Sequence, residues 1–147
     1  PLQSGSNEVL KKMKRRYLRE VYTERVAKIR EVMPHACIGV DVIVGFPGET
    51  EAEFEALCDF IAEASLDRVG VFTYSHEEST RAHDLVDDIP EEVKMERANR
   101  IMEIQSAISY EKNKAKIGKS FKVLFDKIEK EPSSRINIKE GFFMSFH

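Results

Sequence analysis

Residues 40–51 read VDVIVGFPGETE, and how this stretch folds decides the architecture. From Cys37 to Val44 the chain is short, rich in β-branched residues and apolar on both faces, which predicts a central parallel strand. Gly45-Phe46-Pro47-Gly48 then breaks the extended run, and Thr50 with Glu53 has the spacing of a capping box. A helix is expected to start there, with Phe54, Leu57, Cys58 and Ile61 on its apolar side. The connection Ser65-Leu66-Asp67 leads into a second buried strand, Arg68 to Tyr74, and strand-helix-strand in this order implies a right-handed parallel crossover.

The flanks extend this α/β pattern. Tyr22, Val26, Ile29 and Met33 recur at i, i+4, i+7 and i+11, a helix packed on one face and ended by Pro34. After a polar loop from Ser75 to Ile89, a long helix is expected from Pro90 to Gly118, with Val93, Ile101, Ile104 and Ile108 on one side. Phe121, Val123 and Phe125 then alternate in a half-exposed strand, which places a domain boundary near Gly118. Cys37 and Cys58 read as core thiols.

The 147 residues carry 33% charged side chains and a net charge of -3, which suits a soluble cytoplasmic domain. No apolar run approaches the roughly 18–20 residues that span a bilayer, so no membrane partner is expected. The chain begins without Met and ends on Phe146-His147, and both ends read as cuts in a longer protein.

Ligands of parallel α/β folds bind beyond the carboxyl ends of the strands. Three segments end at that edge: residues 1–6, 45–48 and 73–76. Glycines there admit close approach to the backbone, and amides at a helix start attract carboxylate or phosphate groups. The alternative is that Gly45 and Gly48 only make a tight turn. A phosphate-binding P-loop is excluded because Gly48 is followed by Glu49-Thr50 instead of Lys. His35, His76, His83 and His147 lack metal-ligand spacing and read as exposed loop residues. The basic run Lys11, Lys12, Lys14, Arg15 and Arg16 would attract RNA or an acidic protein, or else is a solvated helix and turn.

PLQSGSNEVLKKMKRRY, VDVIVGFPGETEAEF, DRVGVFTYS and the IPEEVK helix occur here in one order. Over roughly residues 1–128 that order resembles the radical S-adenosylmethionine methylthiotransferases, the MiaB/RimO group. The resemblance implies the later half of a partial (β/α) barrel over 1–118, the start of a TRAM domain over 119–128, and an atypical tail over 129–147. It implies S-adenosylmethionine and two 4Fe-4S clusters as cofactors of the intact enzyme. The CxxxCxxC motif that holds the first cluster is not in this chain, so the chain by itself is expected to be inactive.

In similar enzymes the strand ends line the S-adenosylmethionine pocket. Carried onto this sequence, those positions are Gln3, Ser4, Asp41, Ile43, Gly45, Phe72 and Tyr74, with Val44 supporting the wall. Gln3, Ser4 and Asp41 are the polar contact candidates, and no residue is expected to act as acid or base. Residues 1 to about 50 look most like the branch that modifies a tRNA adenosine. From about Leu66 the chain looks more like the branch that modifies an aspartate of a ribosomal protein, and the longer block favours that substrate. A non-catalytic barrel piece that binds RNA or protein is the alternative of another class.

Overall fold

The computed structural model describes residues 2–78 and 81–121. Its elements, in chain order, are α1 (Asn7–Lys12), α2 (Arg19–Val32), β1 (Gly39–Val44), α3 (Glu51–Ala64), β2 (Arg68–Thr73), a short 3-10 turn (Arg81–Asp84) and α4 (Glu91–Lys114). The chain falls into two compact units, Pro1–Ile117 and Gly118–His147. The elements all belong to the first. Of the strand expected at Phe121 to Phe125 only Phe121 is described, and it lies outside any strand; the tail and Ser79 are outside the described residues.

β1 and β2 pair in parallel, with Val40 opposite Val69 and Val44 opposite Thr73, and α3 is the crossover between them. The N-terminal segment joins the other edge of β1 through a parallel bridge between Gln3 and Val42. Gln3 N–H donates to Asp41 O at 3.0 Å and Ile43 N–H donates to Gln3 O at 2.9 Å. The class is α/β, and three parallel carboxyl ends converge on one edge, as the sequence led us to expect.

The core lies on one side of this sheet. Val40, Val42 and Val44 face Phe54, Leu57, Phe60 and Ile61 of α3, Val26 of α2 and Ile101 of α4. Burying each side chain of this size stabilises by about 1.5–3 kcal/mol. The capping box at α3 is present in full: Thr50 Oγ1 accepts from Glu53 N–H at 3.3 Å, and Glu53 Oε2 accepts from Thr50 N–H at 2.7 Å.

Five expectations change. β2, expected as a buried strand, buries only Val69 and leaves Phe72 exposed. β1 begins at Gly39, two residues later than expected, and alternates exposed with buried positions instead of being covered on both faces. Its second face, carrying Asp41 and Ile43, looks into the cleft described below. Because the strand starts later, Cys37 falls in the preceding loop and is exposed, whereas Cys58 is buried. Met33 caps the end of α2 and is exposed, beyond the reach of the core. On α4 the buried stripe is Lys94, Arg97, Ile101 and Gln105, with Ile104 and Ile108 only partly buried beside it and Val93 half-buried.

Burial pushes the Cys58 thiol up to about 11. The thiolate is the reactive form, so alkylation near neutral pH should modify Cys37 quickly and Cys58 only after unfolding. Peptide mass mapping with and without denaturant checks this, and equal labelling of both in the folded protein would contradict the packing of α3.

Candidate active-site cleft

The chain leaves β1 through two residues in the left-handed region, Gly45 at φ 71° and Gly48 at φ 70°, which turns it back over the strand end. Phe46 anchors the turn from above, packed edge-on against Tyr74 with ring centroids 5.3 Å apart. Glu49 N–H closes it onto Phe46 O at 2.8 Å.

Glu49 then folds back into the turn and is itself buried. Its Oε2 accepts from Gly45 N–H at 2.8 Å and from Arg97 Nη1 at 2.8 Å, and Arg97 Nη1 also donates to Glu49 O at 3.2 Å. The guanidinium lies 5.2 Å from the Phe54 ring centroid and bonds Glu51 at 3.1 Å. Glu49 Oε1 and Arg97 Nε find no hydrogen-bond partner among the described residues. Burial therefore dominates and raises the Glu49 carboxyl above its ordinary range, against the lowering pull of the Gly45 amide and Arg97.

One turn earlier on α4, Lys94 crosses beneath Gly45 and is 1% exposed. Its ammonium donates to Asp87 Oδ2 at 2.7 Å and Glu91 Oε1 at 2.6 Å, and sits 5.6 Å from the Tyr74 ring centroid. Burial alone would lower its proton affinity, but the two carboxylates outweigh that and hold it above the usual lysine value. Gln105 Nε2 donates to Leu66 O and Asp67 O at 3.3 Å each, which fixes the far end of α4 to the start of β2.

Above these supports lies a cleft of about 1000 Å³. Its floor is Asp41, Ile43 and Phe72 at the strand ends, one wall is Lys12 to Arg15, and the other is Tyr74, Leu85, Val86 and Asp88. Phe72 is 58% exposed and presents its ring to the cleft.

The structure brings Gln3, Asp41, Ile43, Phe72 and Tyr74 together around this cleft. It keeps two candidates away. Ser4 is fully buried, and its hydroxyl accepts from Ser6 N–H at 3.2 Å. Gly45 is buried against Lys94 and gives the cleft no surface. Several backbone amides of the junction are also taken: Gly45 by Glu49, Gly48 by Asp88 at 2.7 Å, Thr50 and Glu53 by each other's side chains. Cationic side chains reach the same edge.

Those side chains come from the basic run. Lys12 Nζ donates to Gly48 O at 2.6 Å and pairs with Glu53 at 3.6 Å, while Arg15 bonds the Gln3 side-chain oxygen. Lys12, Lys14 and Arg15 line the cleft; Lys11 and Arg16 are exposed outside its lining. Run and pocket, read separately in the sequence, are one feature. His76 and His83 are exposed, as expected, and their rings lie tilted against each other with centroids 4.4 Å apart; no group of three or more metal-ligating side chains occurs among the described residues.

With this geometry in view, the comparisons are decisive. The model of the radical SAM superfamily matches residues 1–61. The chain is 48% identical over 88% of its length to a protein of Christiangramia forsetii, covering 29% of that protein. It is 50% identical to one of Hydrogenovibrio crunogenus, with 89% of the chain and 29% of the relative aligned. For a Proteus mirabilis protein the values are 49%, 89% and 30%. All three relatives are named ribosomal protein uS12 methylthiotransferase RimO. Over most of its length the chain is thus similar to part of these methylthiotransferases, and its first 61 residues match the radical SAM superfamily. It spans less than a third of the length of these relatives.

The cleft has the size of a small-ligand site. Its volume is at the upper end of the roughly 300–1,000 Å³ of such pockets, with Ile43 and Phe72 beside Asp41 on the floor and cations on one wall. The family's iron-sulfur clusters find no match here, because CxxxCxxC does not occur and Cys37 and Cys58 lie in a loop and in the core. No helix among the described residues is long and apolar enough to cross a membrane.

Proposed function

We propose that this chain is the later part of the catalytic domain of a methylthiotransferase that acts on a ribosomal protein, and that its cleft holds S-adenosylmethionine. The observation that carries the reading is the cleft at the three strand ends, where Phe72 and Ile43 stand opposite Lys12, Lys14 and Arg15. S-adenosylmethionine, when bound, supplies radical chemistry for replacing a C–H by C–SCH3, with two 4Fe-4S clusters of the intact protein. The residues of this chain bind and orient. Phe72 and Ile43 offer the apolar surface for adenine, Gln3 and Asp41 offer polar atoms to the ribose and methionine ends, and the cations favour the carboxylate.

The relatives' names favour the ribosomal-protein substrate over tRNA, and so does the block from Leu66 onward. Lys11 and Arg16, exposed outside the cleft lining, are the remaining candidates for an RNA contact. The deciding experiment incubates the intact, cluster-reconstituted protein with reductant, S-adenosylmethionine, ribosomal subunits and tRNA, followed by mass spectrometry. Methylthiolation of a ribosomal-protein aspartate is expected. Modification of a tRNA adenosine alone would reassign the substrate, and modification of neither, despite S-adenosylmethionine cleavage in positive controls, would favour a non-catalytic binding module.

A further inference from the structure

Lys94 is the one fully buried ammonium among the described residues, and packing gives no reason for it. A methionine would cover Gly45 with the same stem and leave no charge to desolvate. What the ammonium adds is a fixed link. It reaches Asp87 at 2.7 Å, in the segment just before α4, while the other acidic partner, Glu91, lies on α4 itself and is largely exposed. The neighbouring Asp88 makes a second link by accepting from Gly48 N–H at 2.7 Å. Consecutive aspartates thus tie one short segment to both sides of the Gly45–Gly48 turn, the first through Lys94 and the second directly.

That segment carries Leu85, Val86 and Asp88, the outer wall of the cleft. Little else among the described residues holds it. Leu85 and Val86 are 41% and 81% exposed, and Leu85 N–H is bonded only locally, to Ala82 O at 3.0 Å. A third tether, just ahead of the segment, is Tyr74 OH donating to Ala82 O at 3.3 Å, from the ring that Lys94 Nζ itself approaches. We propose that Lys94 is a positioning residue, which holds residues 84–88 against the end of β1 and thereby sets the affinity of the cleft for its cofactor. Lys94 touches no ligand in this scheme; it acts through Asp87.

The inference rests on the cleft being the S-adenosylmethionine site, and the test separates the two. In the intact protein, Lys94→Met, Asp87→Asn and Glu91→Gln are compared by hydrogen exchange at residues 84–88 and by calorimetric titration with S-adenosylmethionine. Ligand affinity falls in proportion to the fraction of time the wall is in place. Lys94→Met and Asp87→Asn should each weaken binding about tenfold, which requires the wall to be in place only about a tenth of the time, and should speed exchange at 84–88 with exchange in β1 and β2 unchanged. The double variant should be no worse than either single one, because both break one link. Glu91→Gln should leave both readouts near those of the native protein. Should Lys94→Met fail to fold, Asp87→Asn, a loop substitution at a partly exposed carboxylate, carries the test. Unchanged exchange at 84–88, or acceleration spread evenly through β1 and β2, would overturn the positioning role. Native protein that binds no S-adenosylmethionine would overturn the cofactor reading, while the exchange comparison would still decide the clamp.

Discussion

Arg97→Ala should destabilise the protein by roughly 3–5 kcal/mol, the loss expected when one partner of a buried ion pair is removed and the other stays behind. Glu49 is the partner left behind, with its side chain fully covered and only the Gly45 amide still donating to it among the bonds to its carboxylate. Arg97 also covers Phe54 and reaches Glu51, so its loss uncovers apolar surface at the start of α3. Urea unfolding of wild type and variant measures the difference, and a loss under about 1 kcal/mol, the range of exposed pairs, would mean that the pair is solvated.

The same variant should have a distinctive pH dependence. Burial already raises the Glu49 carboxyl in the folded state above its ordinary value of 4.5. A group whose folded pKa is raised binds its proton more tightly in the folded state. Its contribution is therefore fully present below the unfolded pKa and is lost as pH rises through the folded one. Removing Arg97 takes away a cation that opposes the shift, so the folded pKa climbs further. The penalty of Arg97→Ala should then be largest at neutral pH and shrink as pH falls toward 4.5. Adding Glu49→Gln should recover much of the loss at neutral pH, because a neutral amide oxygen still accepts from Gly45 N–H without a buried charge. A pH-independent penalty, or no recovery in the double variant, would show that packing of the guanidinium on Phe54 matters more than its charge.

How much of this was legible in the sequence follows from what each signal reports. The order β1-α3-β2, the Thr50–Glu53 cap and the apolar side of α3 rest on local spacing and on periods of two and 3.6, which act within one turn or strand. Buried charge does not announce itself that way. Lys94, Arg97, Ile101 and Gln105 occupy the i, i+3, i+7 and i+11 places of a core stripe, but three of the four are polar and pattern reading assigns such residues to solvent. The one available signal was Glu49, a carboxylate directly after a turn flanked by apolar residues, which needs a cation from elsewhere in the chain. The β1 pattern misled for a related reason: Asp41 and Ile43 face the cleft, and a cleft wall with a mixed face resembles a buried one in sequence. The Gly-Phe-Pro-Gly turn was legible as a turn, but not that the Gly48 amide is taken by Asp88, 40 residues away, or that Arg97 braces Glu49 from 48 residues away. Contacts over such distances leave no periodic trace in the sequence.

Gly45→Ala should cost roughly 2–5 kcal/mol, and the two causes can be separated. The first is conformational: at φ 71° a side chain costs about 1–2 kcal/mol by crowding its own backbone. The second is steric, because a Cβ at Gly45 would lie 2.3 Å from Cγ and 3.0 Å from Cδ of Lys94. Those atoms are not free to move aside, since the ammonium beyond them is held by Asp87 and Glu91. Forcing an extra carbon into such a site typically costs about 1–3 kcal/mol. Lys94→Ala should erase the second part and leave the first, so Gly45→Ala made in that background should cost only about 1–2 kcal/mol. A full penalty in both backgrounds would mean that the strain lies wholly in the backbone. A penalty that vanishes in the Lys94→Ala background would mean that the turn relaxes to a conformation alanine accepts, and that the stem of Lys94 is what forces the chain back over the end of β1.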